Sequence, residues 1–135
     1  MTSYIPADLR RLVFDRASGA CEYCLVAEEL TFLGCQVDHV IAEKHGGATT
    51  LENLALACTF CNRFKGSDIG SIASSTKEFT RFFNPRADKW SDHFRIAMFR
   101  IIPLTPVGET TEYILQFNAP ERLIEREMFS LYGGT

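Results

Sequence analysis

Two cysteine pairs and one Asp-His pair set the chemical problem of this sequence. Cys21 and Cys24 stand in "CEYC", Cys58 and Cys61 in "CTFC", with 33 residues between the pairs. A Cys-x-x-Cys turn aims two thiolates at one point, and two such turns complete a tetrahedral Cys₄ zinc site with no open position. Such a centre is structural: its coordination is closed, so it does not activate water. A single pair could serve redox chemistry. Two pairs and an odd total of five cysteines, with no export signal, favour one structural Zn²⁺ over a redox pair or a disulfide framework. Cys35 is left over in an apolar run, where the expected role is a small buried hydrophobe. Between the cysteine pairs, "FLGCQVDHVIAEKHGG" passes from apolar residues into Asp38-His39 and on to Gly46-Gly47. Packing alone gives little reason to end an apolar run on a carboxylate beside an imidazole.

Several elements must position these groups. Residues 5–18 read as a helix, with Pro6 in its first turn, Leu9, Leu12, Val13 and Arg16 at helical spacing, and Gly19 as its stop. Residues 30–40 read as a strand, or as a hairpin bent at Gly34. Successive strand side chains point to opposite faces, so Asp38 and His39 would address different sides. "LENLALAC" reads as a short strand or turn, and "TFCNRFKGSD" as the opening of a helix. Asn62 follows the last cysteine directly, where it either caps that helix or carries function. Beyond it, residues 69–90 are mixed, with a loop at Asn84-Pro85. Residues 93–105 alternate as one strand, and two helices, 107–117 and 120–132, close the chain at Gly133-Gly134. The cysteine pairs tie shut the excursion that holds Asp38, His39 and the two glycines.

Taken in order, "CEYC", "VDHVIAEKHGG", "LENLALAC" and "CTFCNRFKG" resemble the HNH endonucleases, within them the zinc-stapled Cys₄ branch. The resemblance is close over residues 21–66. "FNPRADKWSDHF" is similar, less specifically, to extensions of bacterial members of that family. The resemblance implies an α+β fold: a small ββα-metal (His-Me finger) core with an N-terminal helix, and an α/β C-terminal extension. Residues 1–70 would form the nuclease core, and residues 71–135 an extension packed on or beside it. The implied activity is metal-dependent hydrolysis of phosphodiester bonds in DNA, with double-stranded DNA the expected partner. His39 would be the general base, and Asp38 and Asn62 the ligands of a single catalytic Mg²⁺ or Mn²⁺. Asn53 would pin the loop backbone and orient the histidine.

The residue types suit that chemistry. A phosphodiester is anionic and its 3′ oxygen is a poor leaving group, so one hard cation on oxygen ligands can serve both as a Lewis acid. Asp and Asn oxygens suit Mg²⁺ or Mn²⁺, while thiolates claim zinc. An imidazole suits proton abstraction near neutral pH. Lys65 and Arg63, and more weakly Lys44, are expected at backbone phosphates, against the alternative of a solvated face. His45 is expected to be a solvent-exposed loop residue and His93 a packed residue of the extension. Arg86 either reaches phosphate or braces the extension.

Composition narrows the field. The chain has 135 residues, enough for one domain with its own core, and a net charge of −3. Neither half is basic: residues 1–70 carry 6 Lys/Arg against 9 Asp/Glu, and residues 71–135 carry 8 against 8. Nucleic acid is therefore not held by bulk charge, and any contact must come from a local patch. No apolar run approaches the roughly 18 residues of a membrane span, and the expected location is the cytoplasm. The competing reading is a zinc-stabilised nucleic-acid or protein binding module without cleavage. The match at Asp38, His39, Asn53 and Asn62 favours the enzyme.

Overall fold

The apolar run Leu54–Cys58 becomes the most buried strand of the molecule, with every residue inside. It is β2, and it pairs antiparallel with β1, Cys35–His39, in a register that sets Cys35 opposite Cys58, Asp38 opposite Ala55 and His39 opposite Leu54. The computed structural model describes residues 4–132, with side chains through Met128; Gly133 and Gly134 lie outside the described residues. The N-terminal helix α1 spans Ala7–Arg16, shorter at both ends than the sequence suggested because Pro6 stands at its N-cap. Val13 is fully buried against Leu54 and Leu56, and Leu9 and Ile5 pack onto that cluster. Arg16 then ties the end of α1 down, donating to the carbonyls of Leu51 (2.8 Å) and Leu54 (2.6 Å).

The strand expected over 30–40 is confined to its second half. Glu28–Leu30 forms a single 3-10 turn, and Gly34, at φ +79°, breaks the path before β1 begins. After β2, helix α2 spans Thr59–Lys65 and lies against both strands. Its N-cap is Cys58, whose sulfur accepts the Cys61 N–H, so Asn62 is an interior helical residue rather than the cap.

The second half departs further from the sequence reading. Within the stretch read as mixed lies a hairpin, β3 (Gly70–Ile72) with β4 (Phe79–Arg81). The single strand expected over 93–105 is also a hairpin: a one-turn helix α3 (Trp90–His93) leads into β5 (Phe94–Ala97), which turns at Met98 (φ +60°) into β6 (Arg100–Pro103). Helices α4 (Pro106–Ile114) and α5 (Pro120–Tyr132) follow close to expectation. The described residues thus form a mixed α/β arrangement of five helices and three short antiparallel pairs. No helix among them is long and apolar enough to cross a membrane.

One hydrophobic cluster spans both halves, joining the four paired cysteines, Tyr23 and Val26 to Phe82, Phe83, Phe94, Ile101, Leu115 and Phe117. Phe94 is its hub, with ring centroids 5.0 Å from Trp90, 5.6 Å from Phe83 and 5.5 Å from Phe117. Polar ties follow the same seam. Trp90 Nε1 donates to the Tyr23 carbonyl (2.8 Å), and the Glu125 carboxylate accepts from Thr31 Oγ1 (2.7 Å) and Phe32 N–H (2.8 Å).

Candidate functional site

The cysteine pairs converge. The sulfurs of Cys21, Cys24, Cys58 and Cys61 all lie within 4.8 Å of one another, and all four residues are buried. Each pair closes the same local turn: Cys24 N–H donates to Cys21 Sγ (3.5 Å) and Cys61 N–H to Cys58 Sγ (3.4 Å). This buried set of four sulfurs fits a tetrahedral zinc ion and leaves no ligand position for water. Arg122, from α5, completes the surroundings. Its Nη2 donates to Cys61 Sγ (3.0 Å) and Cys58 Sγ (3.5 Å), while its Nη1 donates to the carbonyls of Leu115 and Gln116. The guanidinium is 1% exposed and lies 5.2 Å from the Phe60 ring centroid. Burial alone would make Arg122 easier to deprotonate, but the adjacent thiolates, Cys61 foremost, outweigh it and raise its pKa. The sequence reading missed this residue, since nothing local in "PERLIER" distinguishes one arginine of an amphipathic helix from another.

Cys35 stands apart from the sulfur cluster. It packs between the two apolar clusters, and burial pushes its thiol up to about 12, which leaves it an inert hydrophobe.

At the end of β1 the structure brings Asp38, His39 and Asn62 around one surface depression of about 290 Å³, with Lys44 and Ser67 on its rim. Asp38 and Asn62 also border a second, larger groove of about 690 Å³ on the α1 side. Two polar atoms here are buried without a hydrogen-bond partner: Asp38 Oδ2 and His39 Nδ1. Buried polar groups are nearly always satisfied; His39 Nδ1 has no hydrogen bond, and Asp38 Oδ2 has only the Lys65 ammonium at 3.5 Å, so the two consecutive residues leave room for a ligand. An anionic oxygen beside an amide side chain is a hard donor set, and it fits Mg²⁺ or Mn²⁺.

His39 itself is 2% exposed, and its Nε2 is 2.8 Å from Thr49 Oγ1. With the hydroxyl accepting from Nε2–H, the lone pair falls on Nδ1, the unpartnered nitrogen. Thr49 was not among the expected site residues; "GGATT" carries no signal that singles it out. Asn53 makes three hydrogen bonds to the loop after β1. Its Oδ1 accepts from Ile41 N–H (3.0 Å), and its Nδ2 donates to the carbonyls of Ile41 (2.9 Å) and Ala48 (2.8 Å).

The residues expected at phosphates differ in their surroundings. Arg63 and Lys44 are exposed. Lys65 is not: it is 2% exposed, donates to the His39 carbonyl (3.1 Å), and lies 3.5 Å from Asp38 Oδ2. Its ammonium is thus turned inward, toward the end of β1, rather than out to solvent. The physical reason is helical spacing, because Lys65 stands four residues after the buried Cys61 and so shares its inward face. Arg86 braces: it donates to the Leu54 carbonyl and pairs with Glu22, whose other oxygen accepts from Leu56 N–H. His45 is exposed, with its Nε2–H donated to the Ser67 carbonyl (3.0 Å). His93 packs edge-on against Phe83 and contacts Thr105 Oγ1 through Nδ1.

No curated protein and no solved structure matches the chain. The family model described as HNH endonuclease matches residues 21–68. That span opens on the first cysteine pair and contains Asp38, His39, Asn53, the second pair and Asn62. Residues 21–68 thus carry the HNH endonuclease pattern, built around a set of four buried cysteines positioned to bind zinc.

Proposed function

We propose that the protein is a metal-dependent HNH endonuclease that hydrolyses phosphodiester bonds in DNA, with double-stranded DNA its substrate. The observation that carries this reading is the underpartnered pair on consecutive residues beside Asn62: His39 Nδ1 without a hydrogen bond, and Asp38 Oδ2 with only the Lys65 ammonium at 3.5 Å. In this reading β1, β2 and α2 form the ββα-metal core within residues 1–70, and residues 71–135 buttress it as an extension. Asp38 and Asn62 would hold the catalytic Mg²⁺ or Mn²⁺, which would neutralise charge on the phosphate and on the departing 3′ oxygen.

The remaining work falls to side chains. His39 Nδ1 takes the proton of the attacking water, and Thr49 keeps the ring in the tautomer that leaves that nitrogen free. Lys65 spans the Asp38 carboxylate and the His39 carbonyl, which fixes the strand end that bears both groups. Asn53 fixes the backbone two residues further on. Cleavage on this scheme leaves 5′-phosphate and 3′-hydroxyl ends, as the family resemblance implies.

The 2% exposure of His39 favours a second reading, a zinc-stabilised binding module whose histidine is too enclosed to meet water. Plasmid nicking separates the two. With added Mg²⁺ or Mn²⁺ the protein is expected to nick, and His39→Ala from a parallel preparation to nick at least about 10²-fold more slowly with zinc content unchanged. Nicking by both at equal rate would refute His39 as base. Absence of nicking by the folded, zinc-loaded wild type on duplex DNA would favour the binding module.

A further inference from the structure

The two concavities at the end of β1 share Asp38 and Asn62, which therefore stand between them. One holds His39 and Lys44. The other, of about 690 Å³, is walled by the N-terminal segment and α1, through Tyr4, Arg10, Arg11 and Phe14. None of these four was assigned a function from sequence. Tyr4 is 77% and Phe14 40% exposed, and Arg10 and Arg11 are both exposed. Neither arginine forms an ion pair among the described residues.

The contrast within α1 is informative. Val13 and Leu9 seat the helix on β2, and Arg16 is spent on the Leu51 and Leu54 carbonyls. Arg10 and Arg11, one turn and more upstream, are left facing the groove on a helix that is held rigidly. The first 70 residues contain six Lys/Arg, of which Arg16 and Lys65 are committed internally. Half of the remaining four line this one groove. The chain is acidic overall, so such a cationic wall leading to a candidate metal site is the local patch that a polyanion requires.

We propose that α1 is the wall that holds the sugar–phosphate backbone of the DNA duplex beside the scissile phosphate. Arg10 and Arg11 contact phosphates, and the exposed rings of Tyr4 and Phe14 pack on the sugars between them. This rests on the nuclease reading above. It assigns the segment of substrate running from Asp38 and Asn62 toward α1, and it makes α1 part of the binding site rather than a support for the sheet alone.

The test measures binding without cleavage: zinc-loaded His39→Ala protein, no added Mg²⁺, and a fluorescent 20-base-pair duplex titrated across a series of salt concentrations. Adding Arg10→Gln and Arg11→Gln should weaken binding about tenfold or more. It should also flatten the plot of log K against log[salt] by about 0.9 for each phosphate no longer neutralised, or about 1.8 for the pair. Both substitutions are at exposed helical positions and keep helix propensity, so the fold should persist. Arg95→Gln, an exposed arginine on β5, is the control for bulk charge and should leave the slope unchanged. An unchanged affinity and slope in the double variant, with the parent binding the duplex, would overturn the α1 assignment and leave the nuclease reading standing. An equal loss in Arg95→Gln would overturn it as well, by assigning the effect to net charge. Failure of the parent to bind duplex DNA at all, with no nicking by the wild type, would remove both proposals together.

Discussion

Asn53 grips the loop after β1 through three hydrogen bonds to main-chain groups, and Gly47 is what allows the approach. A Cβ at position 47 would stand 1.7 Å from the Ile41 carbonyl oxygen and 2.7 Å from Asn53 Nδ2, whereas at Gly46 it would meet nothing within 4 Å. Gly46 needs only its positive φ of +92°. The two glycines therefore do different things, and their substitutions should separate. Gly46→Ala is expected to cost about 1 kcal/mol, the penalty of a left-handed alanine. Gly47→Ala is expected to cost about 1–3 kcal/mol by overpacking and, on the nuclease reading, to slow cleavage at least about tenfold, since Ile41 lies two residues from His39. Chemical denaturation and plasmid nicking of both variants check this; equal behaviour would refute the clamp. Residue-scale legibility was uneven for a physical reason. Asn53 lay within an ordered motif, but Thr49 acts through one hydroxyl in a loop, and such a contact depends on where the loop returns, not on local pattern.

At the scale of elements, the informative unit is α5. On one helix, Arg122 reaches two cysteine sulfurs, Glu125 reaches Thr31 and Phe32, and Arg126 reaches the carbonyls of Phe99 and Phe117. A Cys₄ zinc centre carries net negative charge, and a buried guanidinium against two of its sulfurs offsets part of it. Outer partners of metal ligands contribute about 10–100-fold to metal affinity. Arg122→Gln is thus expected to release zinc that much more readily in competition with a colorimetric chelator, with Arg122→Lys intermediate because one ammonium cannot span the sulfurs and the Leu115 carbonyl together. Zinc affinity unchanged in Arg122→Gln would sink this role. The helices α1 and α5 were legible because helical spacing of apolar residues is sustained over several turns. The hairpins were not. β3 and β4 have three residues each, too short for alternation to register, and the β5–β6 turn is made at Met98, a residue type that does not announce a turn.

At the scale of the molecule, the paired cysteines belong to the same apolar cluster as Phe94 and Phe117, so the metal centre and the C-terminal half share one core. Structural zinc supplies folding free energy directly. Stripping the metal, or replacing Cys58 with Ser, should therefore loosen residues far from the cysteines in sequence. Trp90, the only tryptophan, reports this, since its Nε1 bonds the Tyr23 carbonyl inside the first cysteine turn. Its fluorescence is expected to shift red in parallel with loss of helical circular dichroism, as one transition. A Trp90 signal that stays native while zinc leaves would show two independent units instead. The same architecture has a consequence in time. Arg122 follows Cys61 by 61 residues, so during synthesis the sulfurs leave the ribosome before their counter-charge exists. At roughly 5–20 residues per second that interval is several seconds, in which the nascent chain presents clustered thiols with no guanidinium beside them. The finished metal centre is thus a late event in the life of the chain, although its sulfur ligands are all made early.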